Sequence, residues 1–230
     1  MKNSYKLAIT AAIVGLGLGT LNVAQAATVS LSSSNQGWWS TSDSNSNNND
    51  NYITGNSSAN SYRNFFTFDL GALAGVSTAT LQVKRFKGSG NPIKTLGFFD
   101  VSTSADVLSQ KNDNPNVNIY NDLGNGKNYG TFNVSTVGNS DEILNFVLNS
   151  DAIADINAKS GKFFSIGGAL LGDLGIGEQY LFGFSNGSSA KLVVDTDLVT
   201  VPEPSTLSGA ALAGITGWWL KRKRKAFQAI

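Results

Sequence analysis

Apolar residues alternate with polar ones in short runs along most of the chain. Val29 and Leu31, then Phe66, Phe68 and Leu70, then Ala79, Leu81 and Val83 open the series. Leu96 and Phe98, Phe132 and Val134, and Leu144, Phe146 and Leu148 continue it. Phe164 and Ile166, then Tyr180, Phe182 and Phe184, then Leu192 and Val194 close it. Polar residues such as Thr80, Gln82 and Lys84 fall between them, and a period of two marks a strand with one buried face. Gly, Asn, Asp and Ser clusters separate the runs. The pattern predicts an all-β chain, with about nine or ten strands in a single antiparallel β-sandwich of jelly-roll type.

One stretch breaks the alternation. Ser150 is the expected N-cap of a short helix, Asp151 favours the positive end of its dipole, and Ile153 and Ile156 form its apolar stripe. Lys159 falls in its last turn and Gly161 supplies the left-handed stop. Residues 40–51 and 111–118 are long, mostly polar stretches and are expected as mobile surface loops. Asp43, Asn45, Asn47 and Asp50 offer oxygen ligands at alternate positions in the first. Thr54 stands where a calcium loop needs its bidentate Glu, and the central Gly is missing, so no metal site is assigned. Gly124-Asn125-Gly126-Lys127 lacks the spacing and the following helix of a phosphate loop and reads as a turn.

Both ends of the chain depart from this pattern. Lys2 and Lys6 precede an apolar run over residues 7–21, and Ala24-Gln25-Ala26 places small residues where signal peptidase requires them. Residues 1–26 are therefore expected to be a signal peptide cleaved before Ala27. At the other end, Val201-Pro202-Glu203-Pro204-Ser205-Thr206 leads into an apolar run over residues 207–220, followed by Lys221-Arg222-Lys223-Arg224-Lys225. Fourteen residues make about 21 Å of helix, short against a bilayer core of about 30 Å. Trp218 and Trp219 fall where interfacial aromatics belong, and the basic block is expected to stay cytoplasmic. The expected organisation is a sandwich over 27–200, flanked by an N-terminal signal helix and a C-terminal transmembrane helix.

The order Pro-Glu-Pro, apolar helix, basic cluster at the C-terminus resembles the PEP-CTERM sorting signal of Gram-negative and related bacteria. Pro202, Glu203 and Pro204 and the basic block 221–225 fall on that pattern, which covers residues 201–230. The resemblance implies processing by an exosortase, an integral-membrane cysteine protease that cleaves near the motif. It implies delivery to the cell surface or the extracellular polysaccharide matrix, with the membrane segment a transient anchor. Five stretches of the middle region also resemble β-sandwich domains of PEP-CTERM surface proteins: Tyr62-Arg63-Asn64-Phe65-Phe66-Thr67-Phe68-Asp69-Leu70, Ala79-Thr80-Leu81, Ile119-Tyr120-Asn121-Asp122-Leu123-Gly124, Asn149-Ser150-Asp151-Ala152, and Ile166-Gly167-Gly168-Ala169. These domains are similar in outline to carbohydrate-binding sandwich modules, and no activity carries over from them.

Charge changes once the ends are set aside. The whole chain has 17 basic and 16 acidic residues. Seven of the basic residues lie in the two terminal segments, whereas every acidic residue lies between Ala27 and Pro204. The remainder carries 10 basic and 16 acidic residues, a net charge of −6. Nothing in it points to nucleic acid or anionic lipid. The chain contains no His and no Cys, which removes the commonest general base, thiolate chemistry, structural zinc and disulfides. A chain of this size is long enough to hold together by its core, burying roughly 70% of its unfolded surface.

Candidate chemistry is therefore of the binding kind. Trp38, Trp39 and Tyr52 flank the first polar loop, and aromatic faces stack on sugar rings while Asn and Asp hold hydroxyls. On a strand Trp38 and Trp39 point to opposite faces, so at most one serves as a platform. Exopolysaccharide is the expected ligand class, without cofactor and without catalysis. A glycan hydrolase or lyase is the enzymatic alternative. It needs two carboxylates about 5 to 9 Å apart, one with a raised pKa, and Asp69, Asp100, Asp106, Glu142 and Glu178 show no spacing that pairs them. A purely structural envelope or biofilm component is the third reading, suited to a polar, cysteine-free module.

Overall fold

The alternating runs become strands, and the strands pair into two sheets that close over one apolar core. A computed structural model describes residues 26–44, 50–57, 60–112, 114–187 and 190–197. The expected signal peptide with Ala24, the sorting motif Pro202-Glu203-Pro204, the apolar run 207–220 and the basic block 221–225 lie outside these residues. Ala26 lies at their first position. Among the described residues no helix is long and apolar enough to cross a membrane.

The strands in chain order are β1 (Ala27–Ser32), β2 (Asn35–Ser40), β3 (Thr54–Ser57), β4 (Asn60–Asp69), β5 (Val76–Lys84) and β6 (Lys87–Ser89). After them come β7 (Ile93–Asp100), β8 (Asn128–Ser135), β9 (Ile143–Val147), β10 (Phe163–Leu170), β11 (Gln179–Gly183) and β12 (Lys191–Thr196). Three helices are added: α1 (Ala105–Leu108), α2 (Val117–Asp122) and α3 (Ser150–Ala158). All nine sequence runs fall on strands. Three strands, β2, β3 and β6, and the helices α1 and α2 were not expected, because each is too short or too polar to show a period.

The smaller sheet has the order β1-β12-β5-β9, and the larger runs β6-β11-β3-β4-β10-β7-β8 with β2 also on β4. Every pairing is antiparallel. At Tyr62, β4 is flanked by Ser40 of β2 on one side and Gly55 of β3 on the other. The facing sides of the two sheets share one core. The larger sheet contributes Phe66, Phe68, Phe98, Phe164 and Ile166, and the smaller contributes Leu81, Val83, Phe146, Leu192 and Val194. Each such side chain contributes about 1.5–3 kcal/mol on burial, which is how a cysteine-free chain is held.

The expectation of one buried face fails on β4 and β10. Residues 64–68 and 164–169 are buried without interruption. The reason is a second, smaller core on the outer face of the larger sheet: Trp39 and Phe65 pack there with Val101, Leu108, Ile119 and Leu123. Helices α1 and α2 cover that face, so Phe65 is as buried as Phe66. A second correction concerns β11. Phe182 and Phe184 both adopt left-handed backbone (φ 60° and 59°), the pairing with β6 shifts register between Tyr180 and Gly183, and Phe184 is 72% exposed. The alternation there ends at the bend.

Helix α3 begins one residue earlier than the sequence suggests. Asn149, not Ser150, is the cap, its side chain accepting from the N–H groups of Asp151 and Ala152. Ile156 is buried, Lys159 is the C-cap, and Gly161 takes φ 76° as expected.

Candidate functional site

The aromatic residues picked out by sequence separate in space. Trp39 is 1% exposed, packed in the small core opposite Arg63 of β4. Tyr52 is fully buried, its ring 5.3 Å from Phe66 and 5.6 Å from Phe182, and its hydroxyl donates to the Lys84 carbonyl at 3.1 Å. Neither offers a ring face to a ligand. Trp38 is half-buried on the opposite face from Trp39, its ring 4.8 Å from Tyr62 in a T-shaped contact. The polar loop expected at 40–51 is anchored at its start, since Ser40 and Ser44 are fully buried. Asn45 and Asn47 lie outside the described residues. Among the described residues no three acidic side chains converge as a metal site would require.

A polar pocket of about 360 Å³ opens instead beside α2. Its wall carries Asn116, Asn118, Asn121, Asp122 and Asn125, with Ser102 and Thr103 opposite and Ile119 and Val107 as apolar floor. Local sequence explains its construction. Asn116 caps α2, accepting from the N–H groups of Asn118 and Ile119. Ile119 turns into the small core, which leaves Asn118 and Asn121, one turn apart, on the exposed side.

Asp122 fixes the far wall. Its carboxylate accepts from Ser102 Oγ and Thr103 Oγ1, both at 2.6 Å, and from their backbone N–H groups at 3.1 Å and 2.8 Å. Partial burial alone would raise its pKa, but these hydrogen bonds outweigh it and hold the carboxyl below its usual range. Behind α2, the Arg63 guanidinium lies 4.3 Å over the Tyr120 ring and donates to the Tyr120 and Asn121 carbonyls at 3.0 Å. The Tyr120 hydroxyl is 2.8 Å from Ser61 Oγ. Gly167 of β10 completes the support, since a Cβ there would stand 2.5 Å from the Leu123 carbonyl. The helix is thus clamped from both sides, whereas the side-chain amides of Asn118, Asn121 and Asn125 make no hydrogen bond with any described residue.

Several carboxylates elsewhere are similarly engaged. Asp155 accepts from Lys127 Nζ at 2.8 Å and from the Tyr129 hydroxyl at 2.8 Å. Burial opposes its ionisation, but these partners prevail and its pKa is lowered. Burial and the Asp155 hydrogen bond in turn push the Tyr129 hydroxyl upward. Thr28 and Thr78 donate to Asp195 and lower it. Glu142 pairs with Arg85 at 2.7 Å, and Glu178 accepts from Ser57. Asp122, Asp155 and Asp195 are all shifted in the direction opposite to that of a glycosidase's general acid.

Two lysines are buried. Lys94 Nζ meets the Gln179 side-chain carbonyl, and Lys111 Nζ donates to the Gln36 carbonyl at 2.7 Å. Desolvation lowers both, and for Lys111 it outweighs the attraction of Asp50.

The residues of the pocket were missed by reading 111–118 as a loop. The signal was present as amides at 118, 121 and 125, the i, i+3, i+7 spacing of one helical face, although the helix itself stops at Asp122. No protein-family model matches this chain, and no curated protein matches it.

Proposed function

We propose that this chain is an exported, exosortase-sorted protein of the bacterial cell surface or extracellular matrix, and that its sandwich is a non-catalytic module binding exopolysaccharide beside α2. The observation that carries the binding half is the set of uncommitted amides of Asn118, Asn121 and Asn125 on a clamped pocket with an apolar floor. Neutral donors and acceptors over an apolar patch suit sugar hydroxyls and the C–H face of a sugar ring. A pocket of about 360 Å³ is at the small end of the range for ligand sites and takes one or two sugar units of a longer chain.

Export and sorting are supported by the residues of the two ends, Ala24 and Ala26 in one and Pro202, Glu203, Pro204 and the 221–225 block in the other. Signal peptidase and exosortase are the partners proposed for them, with a transient stay in the membrane. Jelly-roll topology belongs to the same proposal. Taking β1, β4, β5, β7, β8, β9, β10 and β12 as the eight principal strands, the sheet orders become 1-8-3-6 and 2-7-4-5, two interlocked Greek keys.

Binding to a panel of exopolysaccharides tests the ligand. Saturable binding is expected, weakened by about tenfold or more in Asn121→Ala, the loss of roughly one well-made hydrogen bond. No affinity above background for any glycan removes the binding reading. Mass spectrometry of the mature termini tests the sorting reading separately. Loss of residues 1–26 and of the segment after Pro-Glu-Pro is the expected result, and an intact C-terminus at Ile230 contradicts it.

A further inference from the structure

Helix α1 stands between two hollows. Val107 lines the pocket beside α2. Asp106, its neighbour in the chain, lines a second pocket of about 190 Å³ together with Ala105 and Ser109. Adjacent Cα atoms are about 3.8 Å apart, and adjacent side chains of a helix point about 100° apart. The two pockets are therefore the two flanks of a single helical turn. The ridge between them is no wider than a helix, about 10–12 Å. Leu108 packs into the small core beneath it, whereas Asp106 and Val107 are exposed, so the crest is open to solvent.

The larger sheet builds the floor of the second pocket. Asn35 of β2 pairs with Thr67 of β4, and Thr67 pairs with Ser165 of β10. Paired residues share a face, and Thr67 lies two residues from Phe65 of the small core, so this face is the outer one. Phe163, two residues before Ser165, shares it and is 48% exposed at the pocket wall. The Thr67 and Ser165 hydroxyls, 2.9 Å apart, satisfy each other. Asn35 is different. It lines the pocket, and its Nδ2 is buried without a hydrogen-bond partner among the described residues. A buried donor left unpaired is unfavourable, and an acceptor oxygen of a ligand relieves it. On the helix side Ser109 Oγ donates to the Asp106 carbonyl at 2.7 Å, which leaves its lone pairs and the Asp106 carboxylate for a ligand's hydroxyls.

The second pocket thus repeats the chemistry of the first: an apolar surface for the C–H side of a sugar ring, and polar groups for its hydroxyls. Two like pockets a helix-width apart suit a chain that repeats one kind of unit. Charge narrows the class further. Asp122 and Asp106 border the path, and among the described residues no basic side chain lines either pocket. An uncharged chain fits it, and a polyanion is repelled.

We propose that one uncharged polysaccharide chain occupies both pockets and crosses α1 between them, so that the site holds internal units of a chain and not its end. This inference rests on the glycan reading of the pocket beside α2. That pocket, the larger and the one with three uncommitted amides, takes a short fragment first. A ridge of about 10–12 Å is bridged by about two further units, and Phe163 and Asn35 hold the units beyond it.

The test uses the full-length protein in detergent and the neutral polysaccharide that binds tightest in the panel, cut by partial hydrolysis into fragments of two and six units. Wild type is expected to bind the six-unit fragment about tenfold more tightly than the two-unit one, the second pocket being engaged intramolecularly. Phe163→Ala and Asp106→Ala, both at exposed positions, are expected to lose most of that gain and to bind the two-unit fragment as wild type does, which also shows that they are folded. Phe163→Tyr keeps the ring and is expected to keep the gain. Asn121→Ala is expected to weaken both lengths alike. No gain with length, or a gain that survives in both Phe163→Ala and Asp106→Ala, overturns the proposal and leaves the pocket beside α2 standing if Asn121→Ala still weakens the two-unit fragment. A panel in which only polyanions bind overturns it as well, and a panel in which nothing binds removes both readings.

Discussion

Asp122 joins the segment after β7 to the end of α2 through its four hydrogen bonds from Ser102 and Thr103. Its pKa is lowered in the fold, so its contribution is present above the unfolded value and is lost as pH falls through the folded one. Asp122→Asn replaces one acceptor by a donor that faces other donors. It is expected to cost about 1–2 kcal/mol at neutral pH, and urea unfolding should show the difference from wild type shrinking below about pH 4. Lys94 carries the opposite sign. Burial lowers its pKa, so the folded state holds fewer protons there than the unfolded state, and stability rises with pH from the folded pKa to the unfolded one. Lys94→Met removes that penalty and fills the space. We expect stabilisation of about 1 kcal/mol at pH 7, seen as a raised Tm, with the gain fading as pH approaches about 10. A Tm that falls at pH 7 would show that the hydrogen bond to Gln179 outweighs the desolvation.

At the level of elements, strands were more legible than helices. Every alternating run became a strand because its register is enforced by a core on one side, as with Ala79, Leu81 and Val83. The same rule concealed the outer layer. Phe65 and Thr67 of β4 interrupt no visible pattern, and only the covering by α1 and α2 shows why both faces are buried. Those helices have four and six residues, too few for a period to register, and they are held by caps and clamps that single-residue patterns do not reveal. Helix α3 was found from its Ile stripe, but its start was displaced by one residue, since Asn149 and Ser150 are both good caps. Asn149 Oδ1 takes the bonds in the structure. Asn149→Ala is therefore expected to cost about 1 kcal/mol, whereas Ser150→Ala stays within about 0.5 kcal/mol. Chemical denaturation of the two variants checks this, and the reverse ranking would return the cap to Ser150. Among the aromatics, neighbours in sequence took different roles. Trp39 was drawn into the second core, and alternation put Trp38, half-buried against Tyr62, on the other face of the sheet.

Over the whole molecule, the two sheets and the added outer layer divide the labour. The inter-sheet core, rich in Phe and aliphatic residues, supplies stability without disulfides. The outer layer supplies a rigid frame on which amides are left free. The ionisable groups are largely occupied with structure: Asp122 with a loop, Asp155 with Lys127 and Tyr129, Asp195 with two threonines. An acidic, disulfide-free sandwich whose pocket is lined mainly by amides and hydroxyls, its one carboxylate tied to Ser102 and Thr103, suits the display outside the cell proposed above. In the proposed function the two ends of the sequence supply location and α2 supplies the place to bind. The most direct measurement is an NMR titration of the protein with exopolysaccharide fragments, following the side-chain amide signals of asparagine. Saturable shifts confined to Asn118, Asn121, Asn125 and their neighbours, abolished in Asn121→Ala, are the predicted result. Saturable shifts that cluster on Trp38 and Tyr62 instead, or no shifts with any fragment, would contradict the account.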